Sequence, residues 1–155
     1  MPGRAFCGCV IYSLIAVQLL EGKTIPEAVQ IGLSNAEKYY NDSNFADEFE
    51  KYSRLWEDFA TLPEEEIKST GYVVDTLEAA LWCLLNTKDY KSLVLKAVNL
   101  GDDTDTVAAV AGGLAGIYYG LEEIPEEWLL KLQSREYLEE IAGDFFHSCG
   151  IEVKQ

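Results

Sequence analysis

Asp102, Asp103, Thr104, Asp105 and Thr106 place three carboxylates and two hydroxyls in five consecutive positions, directly after Gly101. A run of small apolar residues follows, from Val107 through Ala108, Ala109, Val110, Ala111, Gly112, Gly113, Leu114 and Ala115 to Gly116. That run predicts a buried helix, and a buried helix that begins with unpaired carboxylates needs compensation. The free N–H groups and the dipole at a helix N-terminus supply part of it. A hard divalent cation supplies the rest, because all-oxygen donors suit magnesium, calcium or manganese. The competing reading is a capped helix start with solvated acids, and spacing alone leaves both open. An EF-hand is excluded: counted from Asp103, the sixth loop position is Ala108 and the twelfth is Leu114, where that motif needs Gly and Glu.

Other reactive groups are sparse. The cysteines are Cys7, Cys9, Cys83 and Cys149, and the single histidine is His147. No CxxC pair or zinc spacing occurs. Cys83 with His147 as nucleophile and base is outweighed by two buried structural residues. Glu64, Glu65 and Glu66 read as a solvated acidic turn rather than as extra ligands. Reduced, buried thiols point to a cytoplasmic protein.

The elements that must position the acidic loop read as helices throughout. Arg4 to Leu20 is nearly all apolar and stops before Gly22. It falls short of the about 20 residues of a membrane span, and no cleavage site follows it. Thr24-Ile25-Pro26-Glu27 is a capping box that starts a helix over residues 25–40. Asn41 to Asn44 is a turn cluster. Phe45, Phe49, Tyr52, Leu55, Trp56 and Phe59 predict one helix to about residue 59, with these aromatics in the core. Leu77, Ala80, Leu81, Trp82 and Leu84 line a further helix after a break at residues 71–76. Asp89 caps the helix carrying Leu93, Val94, Ala97 and Val98. The Gly/Ala-rich helix spans about residues 105–119 and ends at Gly120. Its interior glycines cost about 1 kcal/mol each relative to alanine, which predicts a central position where another backbone comes close. Helices over residues 126–132 and from Ser134 to about His147 follow, then a polar tail from Cys149 to Gln155. No strand alternation appears, so the class is all-α.

The 155 residues suit one domain. Twelve basic against 27 acidic residues give a net charge of −15. Such a surface cannot neutralise phosphates, so nucleic acid is excluded as a partner, and so are anionic membranes.

Two stretches carry a family resemblance. One is Gly71-Tyr72-Val73-Val74-Asp75-Thr76-Leu77-Glu78-Ala79-Ala80-Leu81-Trp82. The other runs from Ala97 through Gly101-Asp102-Asp103-Thr104-Asp105-Thr106 to Gly120, with Ile124-Pro125-Glu126-Glu127-Trp128 beyond it. Together they resemble the C-terminal half of the ADP-ribosylglycohydrolase family. The resemblance implies an all-α orthogonal multi-helix bundle around the helix at 105–119, and a two-metal centre of magnesium or manganese. It implies hydrolysis of the glycosidic bond between ADP-ribose and an acceptor, with water or a carboxylate attacking the anomeric carbon. Asp103, Asp105 and Thr106 are similar to the metal ligands. Asp102 stands where the family usually has Gly, and with Thr104 it is a candidate for outer support. Gly71 and Tyr72 resemble a segment that lines the ADP-ribose cleft. No catalytic residue is assigned.

The family's N-terminal ligand motifs do not occur in this chain, which predicts a half-length, truncated single domain over 1–155. Two functional classes follow: a metal-dependent ADP-ribosylglycohydrolase completed by a second chain, or a non-catalytic remnant that self-associates. Both predict a homodimer through exposed apolar faces, the first helix foremost.

Overall fold

The computed structural model describes residues 2–41 and 43–149, and every described element is helical. Asp42 of the turn cluster and the tail residues 150–155 lie outside the described residues. The chain forms two compact units, residues 1–123 and 124–155.

The first unit opens with α1 (Pro2–Leu20). It ends at Gly22 with φ +81°, where Lys23 N–H donates to Gln18 O at 3.1 Å and Gly22 N–H to Leu19 O at 3.0 Å. This paired closure satisfies two end carbonyls and needs the left-handed residue that glycine supplies. Cys7, Ile11, Ile15 and Leu19, spaced by one helical turn, form the buried face. Phe6, Val17 and Leu20 on the other side are exposed. By length and composition Gly3–Leu20 is able to cross a membrane, which corrects the expectation that it falls short of a span. Here one face lies in the protein core.

Helix α2 (Ile25–Tyr40) starts as the capping pattern predicts. Thr24 donates to the Glu27 carboxylate from its N–H at 3.0 Å and its hydroxyl at 2.7 Å. These bonds pull the Glu27 acid below its ordinary value. The closest backbone approach among the described glycines is here. A Cβ on Gly32 would lie 3.0 Å from both Cα and N of Ile15. Only hydrogen fits that contact, so Gly32 sets how deeply α2 seats on α1.

The stretch expected as one long helix is instead α3 (Ala46–Phe49), a 3₁₀ segment Glu50–Trp56, and short turns at Phe59–Thr61 and Glu64–Glu66. Phe49, Tyr52 and Leu55 are buried, three residues apart each time. A 3₁₀ helix with 3.0 residues per turn keeps that series on one face, whereas an α-helix rotates it away. Phe45 and Trp56 are exposed, so the expected core set is corrected to Phe49, Tyr52, Leu55 and Phe59.

Helix α4 (Val73–Leu85) is the enclosed element: Val74 and every residue from Thr76 to Leu84 are buried. Its one buried acid, Glu78, is met by Arg54 of the 3₁₀ segment at 3.3 Å. The same guanidinium donates to Glu66 O at 2.8 Å. Burial pushes the Glu78 acid up, with Arg54 opposing. Helix α5 (Tyr90–Val98) is capped by Asp89, which accepts from Ser92 N–H at 2.7 Å.

Helix α6 (Thr104–Tyr119) ends at Gly120 with φ +85°. It packs on α1, α4 and α5 through Val107, Ala111, Leu114 and Ala115. Ala109, Gly113 and Ile117 are exposed. The expected central helix is thus found, buried along the one face that packs on the three other helices. Its glycines do not meet backbone: a Cβ on Gly113 would collide with the Tyr12 hydroxyl at 2.4 Å, and one on Gly112 would meet the Tyr90 hydroxyl at 3.3 Å. Tyrosine side chains, not a second backbone, occupy the space that the small residues leave.

The second unit carries α7 (Glu126–Leu129) and α8 (Arg135–Ser148). Helix α7 stops three residues before the expected Leu132. Ser134 precedes α8 in the left-handed region at φ +57°, and its hydroxyl makes no cap bond, which corrects its expected capping role. No described residue of either helix is buried. Cys7 and Cys83 are buried but Cys9 and Cys149 are exposed, so the expectation of buried thiols holds for two of the four.

Candidate metal-binding loop

Asp103 is the N-cap residue of α6. Its N–H donates to Ser69 O at 3.0 Å, and the buried Ser69 hydroxyl donates to Gly101 O at 2.8 Å. These bonds tie the acidic loop to the segment before α4. The loop turns through two left-handed residues, Gly101 at φ +94° and Asp102 at φ +53°. Glycine takes such angles without penalty, and aspartate is among the few other residues that tolerate them. Asp102 therefore occupies a backbone position that suits glycine, and it is exposed.

Thr106 Oγ1 donates to Asp103 Oδ1 at 2.8 Å. Residues three apart share a helix side, so this pair is a product of the helical start. Magnesium–oxygen distances of about 2.0–2.1 Å put neighbouring octahedral ligands about 2.9 Å apart. The Asp103–Thr106 separation is that of an ordinary O–H···O hydrogen bond and is also close to such an edge. Both donors are oxygen, and hard divalent cations are the ions they suit. Asp105 sits exposed in the first turn, one residue before Thr106, and adds a second carboxylate at the positive end of the helix dipole. Thr104 is half-buried. No group of three or more His, Cys, Asp or Glu side chains able to hold a metal occurs among the described residues. The loop brings one carboxylate and one hydroxyl oxygen together at its start, with Asp105 beside them.

Gly71 is brought against this edge. A Cβ added there would stand 3.0 Å from Asp103 Oδ2, so the absence of a side chain lets the segment before α4 close on the carboxylate. Gly71→Ala is expected to push the Asp103 carboxylate aside and weaken magnesium binding about tenfold. Calorimetric titration checks this; an unchanged affinity would show that the carboxylate has room to yield.

Tyr72 is the N-cap residue of α4, exposed, with its carbonyl accepting from Thr76 N–H at 2.9 Å. Thr70 links the same turn: its hydroxyl donates to Asp75 Oδ2 at 2.6 Å and accepts from Tyr72 N–H at 3.2 Å. Thr70 and Asp75 were not singled out in the sequence. An Asp in the first turn of a helix after a Thr is a local signal that would have found them.

Beside the loop, α1, α4 and α6 enclose an apolar groove of about 460 Å³, lined among others by Cys9, Tyr12, Val73, Leu77 and Val110. The remaining sequence candidates fall away from the site's chemistry. Cys83 is buried inside α4, and burial pushes its thiol up to about 12; a thiol held protonated is inert at neutral pH. His147 is exposed on α8, which corrects its expected burial. Glu64 pairs with Lys96 at 3.2 Å in an exposed turn, as a solvated face should.

Comparison with known proteins identifies the pattern. A sequence model of the family described as ADP-ribosylglycohydrolase matches residues 3–152. ADP-ribosylarginine hydrolase Tri1 of Serratia proteamaculans is 48% identical over 88 residues, which is 57% of this chain and 24% of that protein. ADP-ribosyl-[dinitrogen reductase] glycohydrolase of Rhodospirillum rubrum is 43% identical over 68 residues, 44% of this chain and 23% of that one. ADP-ribosylhydrolase ARH3 of Homo sapiens is 29% identical over 98 residues, 54% of this chain and 27% of that one. The chain spans about a quarter of the length of these curated relatives.

Proposed function

The chain belongs to the ADP-ribosylglycohydrolase family, and from that premise we propose that it takes part in hydrolysing the glycosidic bond that joins ADP-ribose to an acceptor. Magnesium or manganese is the ion this reading requires, held by Asp103, Asp105 and Thr106. The observation that carries the reading is the family match over residues 3–152, on a chain in which Asp103 and Thr106 lie 2.8 Å apart with Gly71 closed against the carboxylate. When bound, the cation supplies the positive charge that holds ribose hydroxyls and polarises the scissile linkage. The chain's own residues do the rest. Asp103 and Asp105 contribute the negative charge that selects a divalent ion, and Thr106 a neutral oxygen. Asp102 and Thr104 shape the turn around them. Gly71 admits the ligand-facing segment, and Tyr72 offers an exposed ring to the ADP-ribosyl group. Activity on this reading requires a second chain to complete the site, beside the water that magnesium retains. The four free thiols support a reducing, cytoplasmic setting.

The test is calorimetric titration with magnesium, then with ADP-ribose in saturating magnesium. Saturable heat from both supports the reading, and none from either overturns it.

A second reading, a self-associating binding protein without catalysis, draws on the exposed apolar side of α1. Phe6, Val17 and Leu20 are 47%, 47% and 72% exposed. Under either reading the chain forms a homodimer through this side. Sedimentation is expected to show a dimer that tightens with salt, as screening relieves the repulsion between two chains of −15. A monodisperse monomer at all salt concentrations sinks that expectation.

A further inference from the structure

Arg4 is held at three points. Its carbonyl accepts from the Tyr52 hydroxyl at 2.9 Å. Its Nε is ion-paired with Glu48 of α3. Its Nη1 donates to the Tyr72 hydroxyl at 3.2 Å, with the guanidinium carbon 6.0 Å from the centre of the Tyr72 ring. The start of α1 is seated closely on the Glu48 side, since a Cβ on Gly3 would come within 3.1 Å of the Phe45 ring and 3.2 Å of Glu48 Cγ. The anchor of the guanidinium is thus itself anchored.

Tyr72 is placed differently. The start of α4 fixes its backbone, but its side chain is 41% exposed. A fixed backbone leaves an exposed ring free to rotate about its side-chain torsions. The bond to Arg4 is what removes that freedom. Tyr72 follows Gly71, which abuts Asp103, so the backbone that carries the restrained ring passes the acidic edge.

We propose that Arg4 is a positioning residue: it pre-orders the Tyr72 ring for contact with the ADP-ribosyl ligand, and Glu48 holds Arg4 in place to do so. The inference rests on the ADP-ribose reading given above. A side chain ordered before binding does not lose that entropy on binding, which raises affinity without a new contact. Arginine suits the task because its planar fork donates to a carboxylate and to a phenol at once from different nitrogens. A lysine ammonium, a single point donor, bridges both less well.

The test is ADP-ribose affinity by calorimetry in saturating magnesium, for the full chain and for Arg4→Gln, Tyr72→Phe and the double variant. Each single change is expected to weaken binding roughly three- to tenfold, and the double variant to bind no worse than the weaker single, because both remove one interaction. Glu48→Gln, which touches neither ligand nor Tyr72, is expected to lose part of the same affinity, and Arg4→Lys to recover part of it. Magnesium affinity stays unchanged in all of them, which a general loss of structure would not allow. In NMR spectra the Tyr72 ring resonances shift in Arg4→Gln and Glu48→Gln. Affinity unchanged in Arg4→Gln, or losses that multiply in the double variant, overturns the inference. Absence of ADP-ribose binding by the unaltered chain is a different result: it overturns the ADP-ribose reading, and this inference falls with it.

Discussion

Asp105→Ala is expected to lower magnesium affinity by about 100-fold or more, and to abolish ADP-ribose binding that depends on the metal, while the apo protein stays folded. The bound follows from a comparison of roles: partners of ligands typically cost about 10- to 100-fold, so a carboxylate ligand itself costs at least the upper figure. Asp105 is the cleaner choice over Asp103. Its side chain is exposed in the first turn of α6, so its structural contribution is confined to the helix dipole, about 0.3–1 kcal/mol. A change of that size moves the melting temperature of a domain this large by about 1–4 °C. Asp103, by contrast, stands at the N-cap position of α6, bonds Ser69 O through its N–H and accepts from Thr106, and Asp103→Ala would disturb loop and ligand together. Calorimetry with magnesium, beside a thermal melt without it, separates the two effects. Equal magnesium affinity in Asp105→Ala and the unaltered chain would assign this carboxylate to solvent.

Arg54→Met is expected to destabilise the first unit by about 2–3 kcal/mol near neutral pH, and by less as the pH falls. Removing one partner of a buried ion pair costs about 3–5 kcal/mol; the lower figure applies here because Arg54 is itself about one-third exposed. Glu78 is 5% exposed, and without Arg54 its charge is left inside with Lys68 as the remaining favourable neighbour and Asp75 as an unfavourable one. Burial already holds this acid above its ordinary value in the folded state. Above the raised folded value both states carry the charge, and the burial penalty is present in full. As the pH drops through that value toward the ordinary carboxylate range, the folded state takes up the proton first and the penalty fades. The gap in melting temperature between Arg54→Met and the unaltered chain therefore narrows as the pH falls from neutral toward the ordinary carboxylate range. A gap that stays constant would trace the loss to the missing arginine stem and not to the stranded carboxylate. Adding Glu78→Gln to Arg54→Met is expected to recover most of the stability at neutral pH.

The parts of the fold that were readable from sequence carry their signals within a turn or two. Thr24, Pro26 and Glu27 announce the start of α2, and Glu27 makes the bonds that its position implies. Asp89 announces α5 in the same way. Gly22 and Gly120 mark two helix ends because each takes a positive φ. Local signals mislead where two periods compete. Phe45, Phe49, Tyr52, Leu55, Trp56 and Phe59 fit a 3.6-residue repeat loosely, and the subset Phe49, Tyr52, Leu55 fits a 3.0-residue repeat fully. Packing selected the second, and the segment became 3₁₀. Local signals mislead again at the glycines of α6, whose neighbours are tyrosine hydroxyls from α1 and α5, while the glycine that admits a backbone is Gly32.

By itself the sequence determined the all-α class, the acidic start of α6 and the family, because helix caps, turn glycines and a contiguous motif are local in the chain. Only the tertiary structure decided how the acidic loop is built. It brought Gly71 onto Asp103 across 32 residues and Arg4 onto Tyr72 across 68. It also made α4 the most deeply buried helix, with Val74 and every residue from Thr76 to Leu84 buried. Such contacts leave no local trace, since they depend on which helix faces pack together, and a face's partner is settled by the burial of the whole unit.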